Sequence, residues 1–433
     1  MTPRRTCTRP CTRPRPDGPL TWRTALRSLA LLVLALAVGG CVRVSVHGDR
    51  QAYEEAHRPM TDTTPLRVAT YNVSLYSEEA GGLIRQLEGE DTQAGKIAAV
   101  LQRVRPDVVL LNEFDYDPAG RAADLFQQRY LARPQTGGGE ALAYPYRYLA
   151  PVNTGVPSGL DLDRNGEIGG SGRDRGNDAW GYGLHPGQYG MLVLSRYPID
   201  EAAVRTFQHL KWSAMPGSRA PQDPATGAPW YPAQVWSQLR LSSKSHWDVP
   251  ITTPHGIVHL LAAHPTPPVF DGPEDRNGRR NADEIRLWAE YINPTGDPAW
   301  VCDDRGRCGG LAADANFVIV GDYNADPVDG DGVPGAIAQL LGHPRVNARF
   351  VPRSTGAAPR AAERGLVRRG DLRSHTGDFG PEGGTLRLDY VLPSTGLRVT
   401  DGGVFWPASG EPGSDIVDAS DHHLVWLDLV PAN

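Results

Sequence analysis

The sequence is poor in cysteine and in long apolar runs. Only five of its 433 residues are cysteine, and 40% of them are hydrophobic. A helix that spans a membrane needs about 20 consecutive apolar residues, and the run at residues 29–38 falls well short of this, which excludes a multi-span membrane protein. Charged residues form 22% and aromatic residues 8% of the chain, which excludes a disordered or collagen-like protein.

The first 40 residues have the pattern of an export signal, because arginines precede the short apolar run and Gly39, Gly40 and Cys41 follow it. The run VGGC resembles a bacterial lipobox, in which the cysteine is lipidated and becomes the new N-terminus. We expect a lipoprotein signal peptide over residues 1–40, a tether over 41–65 and one folded domain over 66–433. The protein would then be exported and held at the cell envelope by a lipid anchor on Cys41. An ordinary secretory peptide or an uncleaved anchor is the alternative.

Removal of the predicted signal makes the protein acidic. Residues 1–40 hold seven of the 44 basic residues and one of the 50 acidic residues, so the mature chain keeps 37 basic and 49 acidic residues, a net charge of −12. An acidic body does not attract a phosphate polymer over long range. A role in coating or storing nucleic acid is therefore disfavoured.

Two cysteines remain after Cys41, and they lie close together in the run CDDRGRC. In an exported protein, this spacing within a polar turn predicts a local disulfide between Cys302 and Cys308. A zinc site would need two further soft ligands nearby, and the sequence has none there.

Strand and helix patterns alternate along the chain and predict a layered α/β fold. Long irregular connections are expected over residues 152–190 and 206–249, because both segments are rich in Gly, Pro, Trp and Asp. Helices are predicted over residues 97–104, 285–292 and 335–343. Strands are predicted at RVATYNV, DVVLLNEFD, YRYLAP, MLVLSRYPI, IVHLLAAHP, FVIVGDYNADP, LRLDYVLPS and HLVWLDLVP.

Most of the predicted strands end in a polar residue that could bind a divalent cation or move a proton. Sites in α/β sheets collect at strand ends, although a single Asp or Asn there is more often a turn former. The repeated pattern favours a shared site, formed by Asn72, Glu113, His264, Asp322, Asn324, Asp389, Asp421 and His422.

The runs YNV, LNEFD, AHPTPP, GDYNADP, RLDYV and SDHH follow one another in this order. As an ordered set they resemble the endonuclease/exonuclease/phosphatase superfamily, which includes DNase I-like nucleases, sphingomyelinases and inositol phosphatases. The resemblance covers about residues 66–431. It implies a four-layer sandwich, with two mixed β-sheets face to face and helices outside, that cleaves phosphoester bonds with Mg²⁺ or a similar ion.

Chemistry assigns roles to four of these residues. Glu113 is a hard oxygen donor suited to Mg²⁺ or Mn²⁺ and is the predicted principal metal ligand, with Asp421 as a second carboxylate. His422 is the candidate general base, because a histidine pKa lies near working pH. Asp389 would fix the tautomer of His422 as its carboxylate partner.

The resemblance implies roles for the other four. Asp322 would align the attacking water or a second metal, and His264 would contact phosphate or assist the leaving group. Asn72 and Asn324 would donate hydrogen bonds to phosphate or position the metal ligands. One position departs from the pattern of several nucleases of the superfamily, which have an Asp where this chain has Ser74.

A second metal signal is the run DLDRNGEI, which has oxygen donors at Asp161, Asp163 and Asn165 and a glycine at the sixth position, as in an EF-hand loop. The twelfth position is Gly172 instead of the closing glutamate, and we expect no flanking helices. A variant loop that binds structural Ca²⁺, closed by Asp174 or Asp178, and a plain Asx-turn loop both remain open.

Basic residues on the insertions and on the run PEDRNGRRN are candidate substrate contacts in an otherwise acidic protein. Lys244, Arg279 and Arg280 could face phosphate. Solvated surface charge is the alternative interpretation.

Together these patterns predict an exported, metal-dependent phosphoesterase that acts as a monomer and hydrolyses a phosphomonoester or phosphodiester by metal-assisted attack of water. Its substrate would be a phosphorylated small molecule, a lipid-linked phosphoester or a nucleic acid. Two alternatives remain, an extracellular nuclease and a noncatalytic binding lipoprotein of the cell surface.

The predicted anchor can be tested by substitution. We expect Cys41→Ala to remove the protein from the membrane fraction, because lipidation needs the cysteine thiol, whereas Cys11→Ala, within the signal, should leave it there. Detergent partitioning of cell fractions measures both. Unchanged partitioning of Cys41→Ala would contradict the anchor.

Overall fold

The computed structural model describes residues 64–296, 298–365 and 367–432. The predicted signal peptide, Cys41 and nearly all of the predicted tether lie outside the described residues. Within these ranges no helix combines the length and the apolar character needed to cross a bilayer.

The strands of the described residues are β1 Leu66–Leu75, β2 Val108–Phe114, β3 Tyr146–Tyr148, β4 Met191–Ser195, β5 Arg205–Thr206, β6 His246–Thr253, β7 Gly256–Ala263, β8 Asn316–Asp322, β9 Gly377–Asp378, β10 Thr385–Leu386, β11 Asp389–Pro393, β12 Leu397–Val404 and β13 Val425–Pro431.

Most of these strands form two mixed sheets. The first has six strands in the order β12, β13, β1, β2, β4, β3, and the second has five in the order β11, β8, β7, β6, β5. Parallel pairing occurs between β1 and β2 and between β7 and β8, and the other neighbours are antiparallel. β9 and β10 pair separately.

Helices cover the outer faces of the sheets. Short 3₁₀ turns connect several elements, and a π-helical turn, Phe126–Leu131, continues one of the helices. The helices of the described residues are α1 Gly82–Glu88, α2 Thr92–Val104, α3 Arg121–Leu125, α4 Gly172–Asn177, α5 Ala233–Trp236, α6 Arg276–Tyr291, α7 Ala338–Leu341, α8 Ala357–Arg364 and α9 Gly380–Gly383.

Each central strand buries side chains on both of its faces. In β2, Val108 and Leu110 pack against the facing sheet, while Val109 and Leu111 pack against α1, α2 and α3. A strand buried on both faces reads as a continuous apolar run, which is why DVVLLNEFD lacks alternation. The second sheet packs on α6 and α7 in the same way. The predicted four-layer sandwich is thereby confirmed.

Helix ends follow local chemistry. α2 begins after Asp91, whose carboxylate accepts a hydrogen bond from the Ala94 backbone N–H, and it ends before Pro106, so it is longer than predicted. The helix predicted over residues 335–343 contracts to α7, because Gly335 has a φ of 80° and Gly342 ends the turn.

The prediction for the second long insertion is partly wrong. Residues 206–249 are predicted to be an irregular connection, yet the end of β5 and the start of β6 lie there. β6 escapes sequence analysis because HWDVPITT mixes polar residues with Pro250, which usually marks a strand edge. β12 escapes as well, because its glycines and exposed polar residues hide its apolar positions.

The two cysteines form the predicted disulfide, Cys302–Cys308. Inside the loop that it closes, the buried Asp303 carboxylate binds the guanidinium groups of Arg205 and Arg307. The bridge therefore closes a small turn whose buried Asp303 carboxylate pairs with one arginine inside the turn and one outside it.

Removal of this bridge should lower stability. We expect Cys302→Ser with Cys308→Ser to reduce the free energy of unfolding by about 2 kcal/mol, the chain-entropy value for so short a loop. Urea unfolding of the variant and of the oxidised wild type measures the difference, and the wild type under reducing conditions is the control. Equal midpoints for variant and oxidised wild type would contradict this.

Candidate active site

The ends of β1, β2 and β8 meet at one point, although β8 belongs to the opposite sheet. The side-chain amide of Asn72 donates one hydrogen bond to Glu113 Oε1 at 3.0 Å and another to Asp322 Oδ2 at 3.0 Å. Asn112 adds a second link, because its Oδ1 accepts the backbone N–H of Asp322 and its Nδ2 donates to the Ala263 carbonyl. Asparagine side chains thus join the two sheets.

His264 completes a group with these carboxylates. Its Nε2 lies 3.4 Å from Asp322 Oδ2 and 4.0 Å from Glu113 Oε1. Ligand atoms of Glu113, His264 and Asp322 all lie within 4.8 Å of one another, a spacing that would suit one metal ion. Neither carboxylate has an ion pair with Lys or Arg among the described residues.

His422 lies beside this group with its ring held in place. Its Nδ1 is 2.8 Å from Asp389 Oδ2, and its Nε2 is 3.5 Å from Asp322 Oδ2. The Thr376 hydroxyl donates to the same Asp389 oxygen at 2.7 Å and accepts the backbone N–H groups of Leu388 and Asp389. Thr376 is a positioning residue that sequence analysis missed, because no pattern marks it before the structure places it.

Burial and nearby charges shift the pKa values of the site residues, and the two histidines shift in opposite directions. Burial raises the pKa of Glu113, and it raises the pKa of Asp322 to about 7. Burial, with the positive charges of Lys244 and His422, holds the pKa of His264 well below its usual range. Burial opposes the charge of His422 too, but Asp389 and Asp322 outweigh it and raise that pKa well above its usual range.

These residues fit a divalent cation. Half-buried Glu113 and buried Asp322 have raised pKa values, and neither has an ion pair with Lys or Arg among the described residues. In the same part of the chain, His264 Nδ1 and Asp389 Oδ1 are buried without a hydrogen-bond partner. Carboxylate oxygens with a neutral imidazole are ligands that Mg²⁺ or Mn²⁺ accepts. The site therefore has ligand atoms for such an ion, together with negative charge that no described Lys or Arg pairs with.

The backbone at the site is strained. Ser74, Glu113 and Asn324 have φ values of 47°, 58° and 50°, in the left-handed region that residues other than glycine rarely adopt. Such strain persists only where surrounding contacts impose it, and it is typical of functional sites. Each of these residues lies at or just after the end of a strand.

A model of the endonuclease/exonuclease/phosphatase family matches residues 69–422. The chain belongs to this family. An endonuclease/exonuclease/phosphatase from Beutenbergia cavernae DSM 12333 is 18% identical, covering 86% of this chain and 72% of its own, with a TM-score of 0.46. Sphingomyelinase C from Streptomyces griseocarneus is 18% identical over 84% of this chain and 99% of its own, with a TM-score of 0.42. A beta toxin variant from Staphylococcus aureus with bound magnesium ions is 14% identical over 84% of this chain and 99% of its own, with a TM-score of 0.40. A search of curated proteins returns no match.

Other predicted residues lie at the edge of the group formed by Glu113, His264 and Asp322. Asn324 donates from its side chain to the Pro265 carbonyl, and its backbone N–H binds Asp322 Oδ1. Asp421 is exposed and accepts a hydrogen bond from the Ser74 hydroxyl at 3.2 Å. Its carboxylate is not in the described group of Glu113, His264 and Asp322. The metal role of Asp421 stays a prediction.

A cavity of about 470 Å³ opens beside Glu113 and Asp421. Lys244 lines it and is 6% exposed, and its ammonium group has no hydrogen bond or ion pair with any described residue. Arg280 also lines it, but its guanidinium donates to the carbonyl oxygens of residues 180, 240, 241 and 242. Arg279 is half-buried and does not line the cavity. Of the three predicted substrate contacts, only Lys244 presents to this space a basic group without a hydrogen bond or ion pair among the described residues. Burial lowers its pKa, and the carboxylates of Glu284, Glu113 and Asp322 oppose that shift.

The predicted calcium loop brings three carboxylates together. Ligand oxygens of Asp161, Asp163 and Asp178 lie within 4.8 Å of one another. The Asn165 backbone N–H binds both Asp161 and Asp163, and Asn177 donates to Asp163 at 2.9 Å. The expectation of no flanking helix is wrong on one side, because Gly172 at the twelfth position begins α4. Asp178 stands in the closing place, and calcium itself stays a prediction.

If calcium binds this loop, it should raise thermal stability by mass action, by about 2–3 kcal/mol at a hundred times the dissociation constant. We expect Asp161→Ala with Asp163→Ala to abolish the calcium-dependent rise in Tm. Asp174→Ala, which alters an exposed acid of α4 outside the group, is the control and should keep it. The same rise in the double variant would show that the loop is not the site.

Proposed function

We propose that the protein is a metal-dependent phosphoesterase that hydrolyses a phosphomonoester or phosphodiester by attack of water. The observation that supports this most directly is the Asn72-bridged pair of Glu113 and Asp322, with His264 and the His422–Asp389 pair around it. The reaction forms a bond from the water oxygen to phosphorus and breaks the bond to the leaving oxygen.

Glu113 and Asp322 would hold the ion, with Asn72 fixing their separation and His264 as a neutral ligand or phosphate contact. When bound, Mg²⁺ or Mn²⁺ neutralises nonbridging phosphate oxygens and makes bound water more acidic. Because an amide rather than a cation joins the two carboxylates, their negative charge stays available to an ion. Asp421, across Ser74, is the proposed second-side carboxylate.

His422 is the proposed proton acceptor. Asp389 accepts a hydrogen bond from Nδ1–H of His422, which leaves Nε2 as the nitrogen that takes the proton from water. Asp389 and Asp322 raise the pKa of His422, so the ring binds a proton strongly when the site holds no ion. A divalent ion on Asp322 would offset that negative charge and lower the pKa, so that neutral His422 could accept the proton from water. Lys244 would contact the phosphate from the cavity wall, since its ammonium group has no described partner.

A small or lipid-linked phosphoester is the proposed substrate, and an extracellular nuclease remains the second candidate. The mature charge of −12 and Ser74 favour the small substrate. A noncatalytic binding lipoprotein is less compatible with the assembled acid, base and metal groups. Export and a lipid anchor on Cys41 stay proposals that rest on residues 1–41 alone.

We expect Glu113→Gln to weaken binding of Mg²⁺, because it removes one carboxylate charge. His422→Ala should leave that binding intact and lower turnover by about 10² or more, as for loss of a general base. Calorimetry with Mn²⁺ and assays with and without EDTA measure the two effects. His209→Ala is the control, because His209 is an exposed histidine that pairs with Asp304 and does not line the cavity.

A folded His422→Ala protein with near-normal turnover would contradict the assigned role. Plasmid DNA distinguishes the two substrate classes, because a polymer-binding enzyme loses affinity steeply with salt. Rapid plasmid cleavage that vanishes in His422→Ala and collapses between low and physiological salt would favour the nuclease.

A further inference from the structure

The cavity extends well beyond the space beside Glu113. Both long insertions line it, the first through Leu162, Arg173 and Tyr182 and the second through Trp212, Tyr231 and Leu239. Leu162 packs with Tyr231 and Leu239 in one apolar cluster, so the two insertions meet at this cavity. Pockets of this size bury most of a small organic ligand. The insertions therefore build room for the part of the substrate that does not react.

The basic residues that line the cavity differ in the hydrogen bonds and ion pairs that they already make. Arg280 donates through Nε and Nη2 to backbone carbonyl oxygens, and Arg276 is paired with the buried carboxylate of Glu274. Arg173 is exposed on α4 and has no hydrogen bond or ion pair with any described residue. Lys244 at the near end and Arg173 on the insertion are thus two unpaired cations in one cavity.

Aromatic rings of the same cavity remain exposed to solvent. Phe270 is 72% exposed and has a φ of 68°, a strained conformation for a bulky side chain. Tyr182 is 46% exposed and also lines the cavity. A flat ring bound in the cavity would cover apolar surface of these side chains and gain stacking contacts.

We propose that the cavity binds a small nucleotide-type phosphoester, with a planar ring and a second phosphate group beyond the one that reacts. Lys244 contacts the reacting phosphate, Arg173 binds the second phosphate, and Phe270 and Tyr182 stack on the ring. This inference rests on the proposed phosphoesterase function. A lipid acyl chain fits less well, because Arg173, Asn177 and the tyrosine hydroxyls would face hydrocarbon.

Three matched probes test the subsite by equilibrium binding in EDTA, where hydrolysis does not interfere. They are ribose 5-phosphate, adenosine 5′-monophosphate and adenosine 3′,5′-bisphosphate. We expect each added group to tighten binding about tenfold, since stacking and a charge-assisted contact are each of that order. Calorimetry measures the dissociation constants.

Variants assign the two gains. Arg173→Gln should abolish the advantage of the bisphosphate over the monophosphate and leave the monophosphate unchanged. Phe270→Ala should abolish the advantage of adenosine 5′-monophosphate over ribose 5-phosphate. Arg175→Gln is the control, because Arg175 is exposed on the same short helix but does not line the cavity.

Equal binding of all three probes to the wild type, or equal effects of Arg173→Gln and Arg175→Gln, would overturn the subsite. Tight binding to sphingomyelin vesicles that Phe270→Ala abolishes, without nucleotide binding, would overturn it in favour of a lipid surface. Hydrolysis of bis(p-nitrophenyl) phosphate with Mg²⁺ is measured in parallel. Its presence without nucleotide binding refutes only the subsite, whereas nucleotide binding without any hydrolysis refutes only the proposed function.

Discussion

The amide of Asn72 is the contact on which the site depends. It donates to a carboxylate of its own sheet and to a carboxylate of the opposite sheet, each at 3.0 Å. Because the amide is neutral, it holds Glu113 and Asp322 near each other without cancelling their charge. A lysine or arginine there would neutralise the pair and remove the reason for a divalent ion to bind. The sandwich thus brings the carboxylates of Glu113 and Asp322 together, and the neutral amide of Asn72 leaves their negative charge in place.

The pKa values of two histidines in one site are shifted in opposite directions. His264 has no carboxylate hydrogen bond among the described residues, and burial, with the positive charges of Lys244 and His422, holds its pKa well below the usual range. His422 is bound to Asp389, so its pKa rises despite the same burial. Environments that separate the pKa values of neighbouring groups are a common basis for acid and base roles. Thr376 contributes by fixing the carboxylate that makes the difference.

The insertions and the strand ends contribute different parts of the site region. The strand ends carry the groups suited to phosphoester chemistry, and the insertions line the cavity next to them. The first insertion also carries the carboxylates of the Asp161 loop. Arg280 of α6 joins the two insertions to each other, because its guanidinium donates to carbonyl oxygens of both. Aromatic packing, as between Trp212 and Trp236, orders these loops although they contain little regular structure.

The layered fold and most residues proposed for the site can be predicted from the sequence, because strands buried on both faces leave continuous apolar runs and their polar ends stand out. Glu113, Asp322 and His422 are found in this way. Which of them meet depends on the fold, since β1 and β8 are far apart in the chain and lie in opposite sheets. The fold also distinguishes Lys244 from Arg280, two basic residues that look alike in sequence. Arg280 donates to backbone carbonyl oxygens, whereas the Lys244 ammonium group has no hydrogen bond or ion pair with a described residue. The difference lies in their surroundings, which come from distant segments folded together.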